Sequence, residues 1–340
     1  MTGQVLAGLD GERFRHWFSA AIPAAGNGLS TELIAGGKSN LTFSVTDGDS
    51  TWVLRRPPLG HILDTAHDMS REYRVMSALA TTRVPVPHTL AFCDDEGVMG
   101  APFYVMEWVA GTPYRHAKEL ATLGTSRTRA ISERLVDTLA DLGAVDPDAI
   151  GLADFGMPDG FLGRQLGRWH RQLAASHSCD LPAAEELHAL LAASVPPESS
   201  VGIVHGDFRL DNVLVDANDA LAAVIDWEMA TLGDPLTDLA LMVVYQRLGA
   251  LLGERVVDAA SAPGYLTETE TLNRYAAASG RELPRFGWYL GLASYKLAAI
   301  VEGIHYRHAR GATVGPGFEG LGAAVEPLLD AGMDAMKEWT

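Results

Sequence analysis

The apolar positions change period once along the chain. Up to about residue 110, short apolar runs alternate with turn formers. Leu33-Ile34-Ala35, Leu41-Thr42-Phe43-Ser44-Val45 and Trp52-Val53-Leu54-Arg55 have strand composition, and Asp47-Gly48-Asp49-Ser50 supplies a hairpin turn between the last two. Pro57-Pro58 stops the third run. Met69, Glu72, Met76 and Leu79 then recur at spacings of three and four, which predicts one face of a helix within 64–80. A carboxylate on an apolar stripe needs a partner. The same segment also fits a stripe centred on Tyr73, with Glu72 in solvent. Two further strand-like runs, 89–93 and 102–109, flank the acidic turn Asp94-Asp95-Glu96-Gly97. From about 115 onward helical spacing dominates, and helices are predicted over 119–143, 161–177, 183–194, 236–252, 265–279, 286–309 and 319–338, with one β interruption at 201–227. Residues 1–28 are compatible with a helix or an arm. Strands followed by helices predict an α+β fold: a small antiparallel β domain with one helix over 1–110, and a larger, mainly helical domain over 111–340.

Composition narrows the partners. A chain of 340 residues suits two domains. With 26 Lys+Arg against 43 Asp+Glu the net charge is −17, so no nucleic acid is expected as a partner. Two cysteines, Cys93 and Cys179, make neither a disulfide framework nor a CxxC metal spacing. The first residues lack a basic segment followed by an apolar core, and no run of about 18 apolar residues exists. The expectation is a cytoplasmic protein with no membrane partner.

The candidate chemistry sits in the β interruption. Asp207 and Asn212 stand five apart in a polar loop between apolar strand ends, and Asp226 closes the next apolar strand. Two carboxylates and an amide are a hard oxygen set suited to Mg2+, which binds few protein ligands and fills its shell with phosphate and water. Each residue alone is ordinary turn chemistry; the ordered set is not. The text VHGDFRLDNVLVD, then VIDWEMATLGDPLTDLA, supported upstream by GGKSNLTFSV, WVLRRPP, SREYRVMSAL and FYVMEWVAG, resembles the aminoglycoside phosphotransferase-like family. Within it, the resemblance is to the branch found as the phosphotransferase domain of multidomain acyl-CoA dehydrogenase proteins. The motifs extend over about residues 30 to 310.

That resemblance implies a two-lobed, protein-kinase-like fold and an ATP- and Mg2+-dependent phosphotransferase acting on a hydroxyl of a small molecule. It implies Asp207 as the catalytic-loop aspartate, and Asn212 and Asp226 as metal ligands. His205 would frame the loop, and Asp238 would cap a helix or brace the loop. Gly37, Lys38 and Ser39 would cover the nucleotide phosphates, and backbone groups of Glu107 and Val109 would meet adenine. One position departs from the family pattern: where the third strand carries a Lys that pairs with a helix Glu, this chain has Arg55, with Glu72 as its partner. Arg56 would point to the opposite face of the strand.

The acceptor is read from charge. Residues 111–340 hold 18 basic and 31 acidic residues, which suits a cationic acceptor such as an aminoglycoside, or plain solubility. Arg164, Arg168 and Arg171 share one helix face, and with Arg209 they form a candidate site for an anionic acceptor, such as a hydroxyacyl-CoA thioester. A nucleotide-binding pseudokinase is the alternative that the missing Lys supports. His305 and His308 lie three apart without a third ligand for a metal.

Overall fold

The computed structural model describes residues 11–26, 28–34, 40–58, 68–176, 178–197, 200–311 and 320–338. They form two compact units, each built around its own core. The first unit comprises residues up to Gly111 together with 222–230, and the second comprises 112–221 and 231–340. The segment 222–230 thus packs with the first unit although it lies within the sequence of the second.

In the first unit, β1 (Ser30–Leu33), β2 (Leu41–Thr46), β3 (Thr51–Arg56), β4 (Thr89–Cys93) and β5 (Phe103–Glu107) make an antiparallel sheet of order β1-β2-β3-β5-β4. Alternation sends Phe43, Val45, Trp52, Leu54, Phe103 and Val105 to one face. There they pack on Phe14 and Phe18 of α1 (Glu12–Ala21), and the Phe18 and Trp52 rings meet edge to face at 5.4 Å. The opposite face carries Arg55 and Tyr104 toward α2 (Met69–Leu79). Asp68 caps α2, its Oδ1 accepting the Ser70 and Arg71 amides at 2.9 and 3.2 Å. Asp95 likewise starts a one-turn helix, α3 (Glu96–Met99), where the sequence predicts only a turn.

The second unit is helical apart from two short strands, β6 (Gly202–Val204) and β9 (Thr231–Gly233), which pair antiparallel, and the strand β7 (Val213–Val215); β8 (Leu221–Val224) lies, but for Leu221, in the segment that belongs to the first unit. The helix expected over 119–143 is two helices, α4 (Ala117–Ala121) and α5 (Thr125–Ala144). Gly124 separates them at φ +85°, which a helix interior does not allow. There follow α6 (Phe161–Ala175), α7 (Pro182–Ala193), α8 (Leu236–Leu252), α9 (Glu268–Ser279), α10 (Phe286–Ala309) and α11 (Val325–Glu338). Helix α10 is the axis of the unit, with most side chains up to Gly303 buried. A helix apolar all round belongs in a core. The stretch Leu236–Arg255 is long and apolar enough to cross a membrane, and 56% of it is buried inside the protein.

Candidate active site

The polar residues singled out by the sequence fall into two groups, one in each unit. In the first unit Arg55 stands opposite Tyr104 in the β3–β5 ladder. Its Nε meets Glu72 Oε2 at 2.8 Å, and a terminal nitrogen donates to Asp226 Oδ1. Glu72 is 1% exposed, so the helix stripe does place a carboxylate inward. It accepts from the Tyr104 hydroxyl at 2.9 Å and from Asn40 Nδ2 at 2.9 Å; Asn40 also reaches Glu228 Oε2 at 3.1 Å. Burial raises the Glu72 carboxyl to about 7, against the pull of Arg55 and Tyr104. Burial alone would lower the Arg55 guanidinium, but Glu72, Tyr104 and Asp226 together hold it above the usual arginine range. Asp226 has φ +67°, a left-handed conformation for a non-glycine residue, just before the single turn of 3-10 helix at Trp227–Met229. The segment is anchored by Val224 N–H to Pro85 C=O at 2.8 Å and by the Trp227 indole to Val224 C=O at 3.0 Å.

Arg56 is fully buried, its Nε donating to the Pro57 carbonyl at 3.3 Å. The Glu107 amide donates to His88 C=O at 2.9 Å. Gly37, Lys38 and Ser39 lie outside the described residues.

In the second unit the loop after β6 is fixed from several elements. Asp238, near the start of α8, accepts the His205 amide at 2.6 Å and the Gly206 amide at 2.8 Å. It braces the loop, while Asp234 caps the helix by accepting the Leu236 amide at 3.0 Å. His205 is buried, and its Nδ1 accepts the Asp207 amide at 3.2 Å. Asp207 is then surrounded by donors. Tyr245 OH donates to Oδ1 at 2.7 Å, Asn212 Nδ2 to Oδ2 at 2.9 Å, and Arg209 Nε stands 3.3 Å from Oδ2. Burial opposes ionisation of Asp207, but Arg209, Tyr245 and Lys296 outweigh it and hold the carboxyl below its ordinary value. Asn212 Nδ2 also donates to the Asp207 carbonyl at 2.9 Å. Its amide nitrogen is thereby committed.

The helix arginines are not gathered at Asp207. Arg164 donates both terminal nitrogens to the Asp159 and Met157 carbonyls of its own preceding loop, and Arg171 folds back along α6 over Gly167. Both are exposed. The i, i+3, i+4 spacing put them on one face, but that face looks to solvent. Arg168 is exposed too, lying over the Trp169 ring at 5.1 Å, although its charge is felt by Lys296. Arg209 is at the site: its guanidinium lies 4.6 Å from the Tyr245 ring centroid, and it lines a small cavity of about 30 Å³ with Met242, Tyr245, Gln246, Val257 and Tyr265.

Four residues of these clusters escape the sequence reading: Asn40, Tyr104, Tyr245 and Lys296. Tyr104 could have been found as the register partner of Arg55. Lys296 could have been found as the one charge in the apolar run from Phe286 to Val301. Among the described residues no three His, Cys, Asp or Glu side chains gather as a metal cage, so His305 and His308 remain a pair.

A family model described as "Phosphotransferase enzyme family" matches residues 30–272. Acyl-CoA dehydrogenase family member 11 of Gallus gallus is 33% identical over 317 residues, covering 91% of this chain and 40% of its own length. The chain therefore spans about two fifths of that relative. A crystal structure of a Ralstonia eutropha protein, provisionally named an aminoglycoside phosphotransferase, superposes with a TM-score of 0.84 at 30% identity, covering 97% of this chain and 98% of that one. An aminoglycoside phosphotransferase in ternary complex with AMP-PNP and hygromycin B shares the kinase-like fold at 15% identity and a TM-score of 0.63, covering 96% of this chain and 99% of that one.

Proposed function

The chain belongs to the phosphotransferase enzyme family, and from that premise we propose that it transfers the γ-phosphoryl group of ATP, with Mg2+, to a hydroxyl group of a small anionic metabolite. The observation that carries this reading is the state of Asp207. It is an ionised carboxylate fixed by Tyr245, Asn212 and Arg209, on a loop pinned by Asp238. Such a group orients an alcohol and takes its proton late, as phosphoryl transfer with little bond formation to the nucleophile requires. The bond from the acceptor oxygen to phosphorus forms, the bond from that phosphorus to the β–γ bridging oxygen breaks, and ADP leaves.

Asn212 and Asp226 are the residues that would hold Mg2+. The committed amide nitrogen of Asn212 fits this, because it leaves a neutral oxygen donor, and Asp226 adds one carboxylate. A site with so few protein ligands draws the rest from phosphate and water, and the bound cation would neutralise charge on the phosphate oxygens. In this reading Arg55 orients Asp226 through the same guanidinium that pairs with Glu72. Backbone groups of Glu107 and Val109 would meet adenine.

The anionic acceptor is supported by Arg209 in the cavity beside Asp207 and by the relationship to acyl-CoA dehydrogenase family proteins; a hydroxyacyl-CoA thioester is the specific candidate. The test is an ADP-formation screen of hydroxylated metabolites, with hydroxyacyl-CoA thioesters and aminoglycosides side by side. Asp207→Ala is expected to abolish transfer while nucleotide binding persists. Wild-type turnover in that variant would remove Asp207 from the mechanism. Turnover with aminoglycosides alone would overturn the anionic acceptor, and ADP formation with none of the acceptors would favour a pseudokinase.

A further inference from the structure

We propose that Lys296 is a positioning residue that fixes the peptide group between Gly206 and Asp207 and thereby sets the direction of the Asp207 carboxylate. That peptide plane is held at both ends. Its carbonyl, on Gly206, accepts from Lys296 Nζ at 2.6 Å, and its N–H, on Asp207, donates to His205 Nδ1 at 3.2 Å. Gly206 itself is at φ +84°, the left-handed region that glycine enters without a Cβ clash, so this peptide has more backbone freedom to lose than an ordinary one. Asp238 holds only the amide side of Gly206. The carbonyl side depends on a lysine 90 residues away.

The setting explains why a lysine is retained in the middle of an apolar helix. The residue is half-buried, and its ammonium lies 5.2 Å from the ring centroid of Trp169 on α6. The charged groups that face it are Asp207 on the loop and Asp238 on α8, which favour the ammonium, and Arg168 on α6 and Arg209, which oppose it. Burial is the largest influence and brings the amine down to about 8. The cation does two things at once. It makes a charge-assisted hydrogen bond to the Gly206 carbonyl, and it places positive charge beside Asp207. An apolar residue of the same length would leave the carbonyl unmatched and Asp207 with less to hold it ionised.

The kinetic part of the test rests on the phosphotransferase reading; the structural part does not. Wild type, Lys296→Met and Lys296→Arg are compared in two measurements, after thermal melts establish which variants fold. The first is hydrogen–deuterium exchange of peptides covering residues 203–210. Lys296→Met is expected to exchange about tenfold faster there, with the core of α8 unchanged. The second is the pH profile of turnover. Wild type is expected to lose kcat as pH rises through about 8, where the ammonium loses its proton. Lys296→Met should show a kcat ~10–100-fold lower, with the KM for nucleotide unchanged and no inflection near that pH. Lys296→Arg, which stays charged, should keep part of the kcat and also lose the inflection. Exchange in Lys296→Met equal to wild type would overturn the proposal, and so would an alkaline limb near 8 that persists in Lys296→Arg. If Lys296→Met does not fold, the pH profile of Lys296→Arg decides: loss of the alkaline limb supports the proposal and its persistence overturns it. A wild-type chain that never turns over would defeat the phosphotransferase reading and leave the exchange comparison to decide the role of Lys296.

Discussion

Arg55 shows at the scale of one residue why a charge-conserving change is not neutral. Its guanidinium gives Nε to Glu72 and a terminal nitrogen to Asp226, two carboxylates on different elements. A lysine has one ammonium and no fork with which to serve both in fixed geometry. Arg55→Lys is therefore expected to fold, with kcat/KM for nucleotide reduced ~10-fold, since one of the two contacts must lengthen. Arg55→Met should be harsher. It leaves a nearly inaccessible carboxylate without its cation, and equilibrium urea unfolding should show a loss of roughly 3–5 kcal/mol. The pairing of Arg55 with Glu72 was legible through the family resemblance; the helix period alone left Glu72 open between an inward and a solvent-facing position. The Tyr104 and Asn40 contacts to the same carboxylate were not. They depend on which strands become neighbours and on where a loop ends, and neither has a local signature. Lys296 was visible only as an interruption of an apolar run; its meaning comes from a loop that folds against it from far away in the chain.

At the scale of elements, what a sequence announces well is a helix whose ends are marked and whose interior is uniform. The limits expected for α8 and α10, 236–252 and 286–309, coincide with those observed. The reading fails where a single residue breaks a period. Gly124 splits one expected helix into two, and the first strand lies at Ser30–Leu33 rather than 33–35, ahead of a glycine-rich loop. The three arginines of α6 make the complementary point, since periodicity says which residues share a face but not which face meets the site. Helix α2 offers a clean test of an element acting on chemistry. Asp68 caps it with a single carboxylate oxygen, one turn before Glu72. Asp68→Ala should cost ~1 kcal/mol in denaturant unfolding. Its KM for nucleotide should be unchanged, because the Glu72 contacts come from β3, β5 and Asn40 rather than from the cap.

For the whole molecule, the fold class and the order of β-rich and helical parts were legible because the hydrophobic period changes near residue 110. The membership of 222–230 was not, since those residues are flanked on both sides by sequence of the second unit. If the proposed reaction holds, ATP with Mg2+ should protect the folded chain. At a ligand concentration 100 times Kd the gain is about 2.7 kcal/mol, measurable as a rise in melting temperature. Asp226→Asn should lose the part of that rise that depends on Mg2+ and keep the part seen with ATP alone. An equal rise in both chains would take Asp226 out of the metal site.

The excursion of residues 222–230 into the first unit bears on how the gene can be cut and recombined. An expression fragment ending at Gly111 would lack the backbone that Pro85 and Arg71 bind, and it would strip Arg55 of its second carboxylate. A hybrid that borrows its sheet from one homologue and its helices from another would mismatch at the same point unless the short insert travels with the sheet. Inheritance of the first unit by simple exchange of an N-terminal coding block is thus disfavoured, and laboratory shuffling should tolerate two matched crossovers, flanking 222 and 230, better than one at residue 111.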